Sequence, residues 1–233
     1  MLTRFCKFLM RKSLLQVTVV CLLFVGVGCD KNALRSAPTQ LQTNSVSASA
    51  KPGADSPVVA AVRAQIGVTT IYDPVYVGLS YPGGDVPENR GVSSDVVIRA
   101  MRKGKAMDLQ QLVHEDMRSA FDQYTKNWGL KKTDKNIDHR RVPNLRCYFE
   151  RQGFAVGKTG GRQNFKPGDL VTCLVGNRPH IMIVSDRVAA EGTPLIIHNI
   201  GSGTKEEDRL FQYELTGHYR LPVTHTPTVR AIR

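Results

Sequence analysis

The stretch PGDLVTCLVGNRPHIMIVS, residues 167–185, followed by PLIIH at 194–198, decides the fold. Pro167-Gly168-Asp169 is turn chemistry, and Leu170–Val175 is a short apolar run of strand length. Asn177-Arg178-Pro179 leads into a second run, His180–Ser185, and Pro194–His198 makes a third. Phe211–Leu215, with Tyr219 beyond it, predicts a fourth strand. Strands this closely spaced pair with their neighbours, which requires an antiparallel sheet.

Upstream the period changes. Val58, Val59, Val62 and Ile66 recur at helical spacing, with Pro57 at the start and Gly67 after the end. Val68–Tyr72 is a β-branched run, and Tyr81-Pro82-Gly83-Gly84-Asp85 reads as a turn. Asp95–Arg102 predicts a helix led by Ser93-Ser94, and Leu109–Trp128 a second one that breaks at Gly129. Lys131–Arg141 reads as a charged loop, and Pro143–Gln152 as a helix between an early Pro and Gly153. Helices come first and strands after. The fold class is α+β, with N-terminal helices packed on a small antiparallel β-sheet in one domain at 57–233.

The chain has 233 residues, 41% hydrophobic and 22% charged, which suits an ordinary globular core and excludes a disordered or collagen-like chain. Its formal net charge is +12. Residues 1–28 hold Arg4, Lys7, Arg11 and Lys12 and no acid, which leaves a net +8 on the rest. That excess favours anionic surroundings such as phospholipid head groups or acidic wall polymers. A basic stripe interleaved with aromatics is missing, so nucleic acid is not an expected partner. Lys126–Lys132 with Arg140-Arg141 reads as a solvated basic face.

Residues 1–28 have a basic start, an apolar middle (Leu14 to Val25) and a small-residue end, the pattern of a secretory signal peptide. Cys29 follows Val27-Gly28 and resembles the lipidated Cys of a bacterial lipobox, although Gly26 stands where Leu is usual. Residues 29–56, rich in Ala, Ser, Thr and Gln, read as a flexible tether. The implied setting is the cell envelope on the periplasmic side, with a membrane contact through a lipid anchor. Cys147 and Cys173 then remain in the domain. A secreted domain could pair them, but both sit in apolar runs, and two separate buried thiols are the favoured reading.

Ser93 and Ser94 stand where a helix begins, facing free amides and the positive end of the helix dipole. Enzymes place a nucleophilic Cys at such a position. Ser is also among the preferred helix caps, so position alone leaves both readings open. His180 and His198 fall on consecutive strands, where one imidazole could act as base and the other fix its tautomer. Two hydrogen-bonded structural histidines fit the spacing as well. A zinc set of His180, His198, Asp186 and Cys173 is weaker, because no tight ligand pair is present. Gly201-Ser202-Gly203 lacks the Lys-Ser/Thr that completes a phosphate loop, and no cofactor is expected.

The blocks Tyr81-Pro-Gly-Gly-Asp85, Arg90-Gly-Val-Ser-Ser-Asp-Val-Val-Ile-Arg99, Val113-His-Glu-Asp-Met117, Asn136–Leu145, Pro179–Asp186 and Ile197–Gly201 closely resemble a bacterial family known as domain of unknown function 1287. That family in turn resembles the papain-like NlpC-type superfamily of cell-wall cysteine peptidases and amidases. The resemblance implies a catalytic order of Cys, His and a polar residue. It matches His180 to the general base, His198 to the residue orienting it, and Ser93 to the nucleophile position, where the family pattern has Cys. A Ser hydroxyl must lose its proton during attack, whereas a Cys paired with His can be a thiolate beforehand. Three expectations follow: an amide-bond hydrolase acting on peptidoglycan stem peptides, a non-catalytic relative that binds a wall peptide or a protein partner, or an enzyme using another group such as Asp138-His139. Tyr81, Asp85 and Arg90, with Asp138 and His139, are the expected substrate-binding residues.

Overall fold

The computed structural model describes residues 56–124, 130–157 and 161–222. The signal segment, Cys29 and the tether up to residue 55 lie outside the described residues, as do Lys126 and Trp128.

Helix α1 spans Pro57–Arg63. Pro57 presets the first helical φ, and the Ser56 hydroxyl accepts from the Val59 amide at 3.5 Å. Two short strands follow, β1 (Ile71–Tyr72) and β2 (Arg90–Gly91), paired in parallel. Helix α2, Ser93–Lys105, crosses close to α1 at Gly104, where a Cβ would stand 2.6 Å from the Val58 Cα. Helix α3, Leu109–Ser119, starts at Asp108, whose carboxylate accepts from the Gln110 amide. Helix α4, Val142–Arg151, carries Pro143 in its first turn.

The sheet is built from β3 (Leu170–Val175), β4 (Arg178–Val188), β5 (Pro194–Asn199), β6 (Thr204–Glu207) and β7 (Glu214–Tyr219). Its order is β6-β5-β4-β3-β7, with every neighbouring pair antiparallel. Gly176 (φ 51°) and Asn177 (φ 65°) make the two-residue turn between β3 and β4, with both residues left-handed as a tight hairpin demands.

Strand alternation gives two apolar layers. Leu170, Ile181, Ile183 and Ile197 join Val96, Val97 and Met101 of α2 and Leu145 and Phe149 of α4 in the main core. Val171, Cys173, Met182, Val184 and Ile196 meet Phe165 and Leu210 in a smaller cluster. Each fully buried aliphatic side chain contributes about 1.5–3 kcal/mol. The α+β class holds, with four helices and a five-stranded antiparallel sheet among the described residues.

Several boundaries differ from expectation. The helix predicted over Leu109–Trp128 ends at Ser119, because Ala120 leaves helical space (φ −143°, ψ 46°) and the chain folds back to bury Tyr124. The strand predicted at Val68–Tyr72 shrinks to its last two residues, and the last strand moves from Phe211–Leu215 to Glu214–Tyr219. Thr204–Glu207 was not anticipated, since an edge strand of polar residues shows no apolar alternation. The charged loop contains a 3-10 turn, Asp138–Arg140, whose three side chains are all buried. Cys147 and Cys173 are both free thiols. Burial pushes the Cys173 thiol up to about 12.

A cleft at the start of helix α2

Ser93 is the first residue of α2, and Val92 occupies the cap position. The cap is made from inside the helix: the Asp95 carboxylate reaches back to the Val92 amide at 2.7 Å. Neither serine therefore caps with its side chain. Ser94 is fully buried and its hydroxyl donates to the Arg140 carbonyl at 2.9 Å. Ser93 is 3% exposed, and among the described residues its hydroxyl has no hydrogen-bond partner. The amides of Ser93 and Ser94 are likewise unpaired there, as expected of the first positions of a helix.

The same Asp95 takes the Arg140 guanidinium on both oxygens, at 2.8 and 2.9 Å. Arg140 spends its remaining donors on the carbonyls of Val75 (3.0 Å) and Asp73 (3.2 Å). Only 5% exposed, Arg140 does not belong to the solvated basic face expected of Arg140-Arg141, whereas Arg141 is exposed. From the sheet, Asn199 of β5 donates to the Gly91 carbonyl at 3.0 Å. The helix start is thus held by β2, by β5 and by the 138–140 turn.

Ser93 opens on a cleft of about 200 Å³, whose walls include Tyr72, Ile137, Arg141, Arg178 and Pro179. Arg141 and Arg178 are exposed, with no ion pair or side-chain hydrogen bond among the described residues. Neither imidazole lines the cleft, and among the described residues no hydrogen bond joins an imidazole to the Ser93 hydroxyl. Tyr72 is the link, since it lines the cleft while its ring centroid lies 6.3 Å from that of His180.

Along β4, His180, Met182 and Val184 alternate with Ile181 and Ile183, which face the helices. His180 is paired across the sheet with Cys173. Its Nδ1 is buried without a partner, and burial, helped by the nearby Arg178 charge, lowers its pKa. His198 donates from Nε2 to Glu207 at 3.0 Å, and Glu207 in turn holds Arg209 at 2.8 Å. This bond fixes the His198 tautomer and leaves Nδ1, also buried and unpartnered, as the free nitrogen. Burial keeps this ring below the usual imidazole value despite Glu207, and a charge on His180 pushes it the same way. His198 borders a separate pocket of about 90 Å³ with Lys205, Glu207 and Arg209.

The expected substrate-binding residues lie elsewhere. Asp85 forms two bonds, 2.7 and 3.0 Å, with the buried Arg99 guanidinium, which ties the 85–90 segment to α2. Arg90 holds Asp73 at 3.1 Å. Tyr81 packs edge-on against His114 with centroids 5.3 Å apart. Asp138 is buried, accepting from His114 Nδ1 at 2.9 Å and from the Asp134 amide at 2.8 Å, and burial raises its pKa. Its neighbour His139 is 2% exposed and pushed down to about 3 by burial, with help from the charges of Arg102 and Arg140. None of these five lines the Ser93 cleft.

Tyr72, Arg141, Arg178 and Glu207 were not anticipated. Asp95, two positions after Ser93 on the same helix turn, was the signal that this helix start is built rather than incidental. Among the described residues no three His, Cys, Asp or Glu side chains converge as metal ligands. Asp186 of the weaker zinc set is instead bound to Arg63.

The fold and cleft define an α+β domain with, among the described residues, an unpartnered hydroxyl at a hydrogen-bonded helix N-terminus beside a histidine-bearing sheet. The chain belongs to the family described as domain of unknown function (DUF1287), whose model matches residues 59–221. It is 54% identical over 159 residues to the uncharacterized protein YijF of Escherichia coli (strain K12), covering 68% of this chain and 77% of that protein.

Proposed function

We propose that this protein is a papain-like, NlpC-related envelope protein that binds a peptidoglycan stem peptide in the Ser93 cleft without cleaving it. One observation carries the reading. The residue at the nucleophile position is only 3% exposed and lines the cleft, yet among the described residues no base is bonded to its hydroxyl. A Ser nucleophile depends on a base that takes its proton during attack. The cleft has apolar walls and, among the described residues, two amides and two guanidiniums without partners, which supports a peptide ligand. The proposed setting is the periplasmic face of a membrane, with the domain tethered through a lipid on Cys29. No helix among the described residues is long and apolar enough to cross a membrane.

A hydrolase working through Ser93, His180 and His198 is the second reading. It is favoured by the Tyr72 contact that brings the His180 ring to the edge of the cleft, and by the free Nδ1 atoms of both histidines. Catalytic hydrogen bonds are often long before substrate arrives. Co-sedimentation with insoluble wall separates the two readings when the supernatant is assayed for released peptide. The binding reading expects the chain in the pellet, a silent supernatant, and loss of sedimentation in Ile137→Asp. Peptide release that His180→Ala abolishes would establish the hydrolase.

A further inference from the structure

We propose that the Ser93 cleft holds a carboxylate of its peptide ligand, bound by the Ser93 hydroxyl and the Ser93 and Ser94 amides and attracted by the Arg141 and Arg178 guanidiniums. This rests on the peptide-binding reading and adds what the cleft recognises.

Three independent features converge on it. Ser93 is only 3% exposed as a residue, lines the cleft, and its hydroxyl has no hydrogen-bond partner among the described residues. A hydroxyl that lines the cleft and has no protein partner is free to donate to a ligand oxygen. The two amides beside it are donors at the positive end of a 13-residue helix, a favourable place for an anion. Finally, the charges around the cleft are unbalanced. Asp95 is neutralised by Arg140, and Asp73 by Arg90. Arg141 and Arg178, which both line the cleft, have no counter-charge among the described residues.

The walls choose the kind of anion. Tyr72, Ile137 and Pro179 are apolar surface next to the donors. A carboxylate carried on an amino-acid residue covers such walls with its own carbon atoms, whereas a doubly charged, strongly hydrated phosphate would leave them wet. Guanidinium groups suit the planar carboxylate through paired N–H donors.

The carboxylate could belong to the end of the peptide or to a side chain within it. The full chain, purified in detergent micelles, is titrated calorimetrically with a soluble stem pentapeptide. The titration is repeated with the C-terminal carboxamide and with a peptide amidated at its internal carboxyl groups. One of the two amidated peptides is expected to bind about tenfold more weakly, the worth of a charge-assisted hydrogen bond. Which one loses affinity tells the two sources apart. Arg141→Gln and Arg178→Gln, both exposed and so not expected to disturb folding, should each weaken the free peptide and shrink that discrimination. Equal affinity for all three peptides, unchanged in both variants, overturns the inference while leaving peptide binding intact. Displacement of the pentapeptide by millimolar inorganic phosphate, with no discrimination between carboxylate and amide, also overturns it. If no peptide binds and the chain does not sediment with wall, both the inference and the peptide-binding reading fall.

Discussion

The Asp95 carboxylate receives the Arg140 guanidinium on both of its oxygens, and the same carboxylate caps α2 through the Val92 amide. One buried acid thus joins the helix start to the 138–140 turn and fixes the Ser93 backbone at the cleft. Removing one partner leaves a buried charge uncompensated, which costs about 3–5 kcal/mol. Asp95→Asn and Arg140→Met should each lower stability by about that amount in urea unfolding. The double substitution should cost clearly less than the two combined. Simple additivity would mean the pair is not coupled.

His139 gives a pH prediction with a definite sign. Burial holds its folded pKa at about 3, below the ordinary 6.5, so the unfolded chain binds a proton that the folded chain refuses. Above pH 6.5 the ring is neutral in both states and adds no pH dependence. As pH falls from there toward 3, stability drops by up to about 1.4 kcal/mol per pH unit from this residue. In His139→Gln the acid side of the stability profile should flatten between those limits. A variant with the native slope would remove His139 as its source.

Cysteine reactivity reports on the helix start. Cys173 is fully buried with its thiol pushed up to about 12, and burial raises Cys147 as well. In Ser93→Cys, the new thiol would sit at a helix N-terminus near Arg178 and Arg141, conditions that favour the thiolate. Iodoacetamide at pH 7, followed by peptide mapping, should label position 93 at least tenfold faster than positions 147 and 173. Labelling of position 93 no faster than Cys147 would show that the field there is not anion-stabilising.

The two-stranded pairing of β1 and β2 brings Tyr72 to the cleft, and its support can be tested separately. Gly203 has φ +81°, and a Cβ there would stand 2.8 Å from the Thr70 Cα. The Thr204 amide donates to the Thr69 carbonyl at 2.8 Å in the same crossing. Gly203→Val should push this strand pair away, costing about 1–3 kcal/mol in stability. It should also weaken peptide binding through displacement of Tyr72. Native stability and affinity together would contradict the crossing.

The sheet was legible because β3, β4 and β5 are apolar runs separated by turn residues, and periodicity reports burial directly. The same signal failed for Thr204–Glu207, a polar edge strand, and for Arg140, whose charge concealed a buried partner 45 residues away. Ser93 and the two histidines stood out from their positions in motifs. The cleft walls did not, because Tyr72, Arg141 and Arg178 come from three distant segments that only tertiary structure brings together. Asp85 and Arg90 lie just before Ser93 in the sequence, which suggests cleft contacts, and Asp138 stands beside His139. In the fold they pair with Arg99, Asp73 and His114, and none of the three lines the Ser93 cleft.

The most direct measurement is mass spectrometry of the soluble phase after the purified full chain has been incubated with isolated insoluble peptidoglycan. The binding account predicts the protein in the pellet and no stem-peptide fragments above the protein-free control. Fragments that accumulate with the native chain and vanish in Ser93→Ala would contradict it.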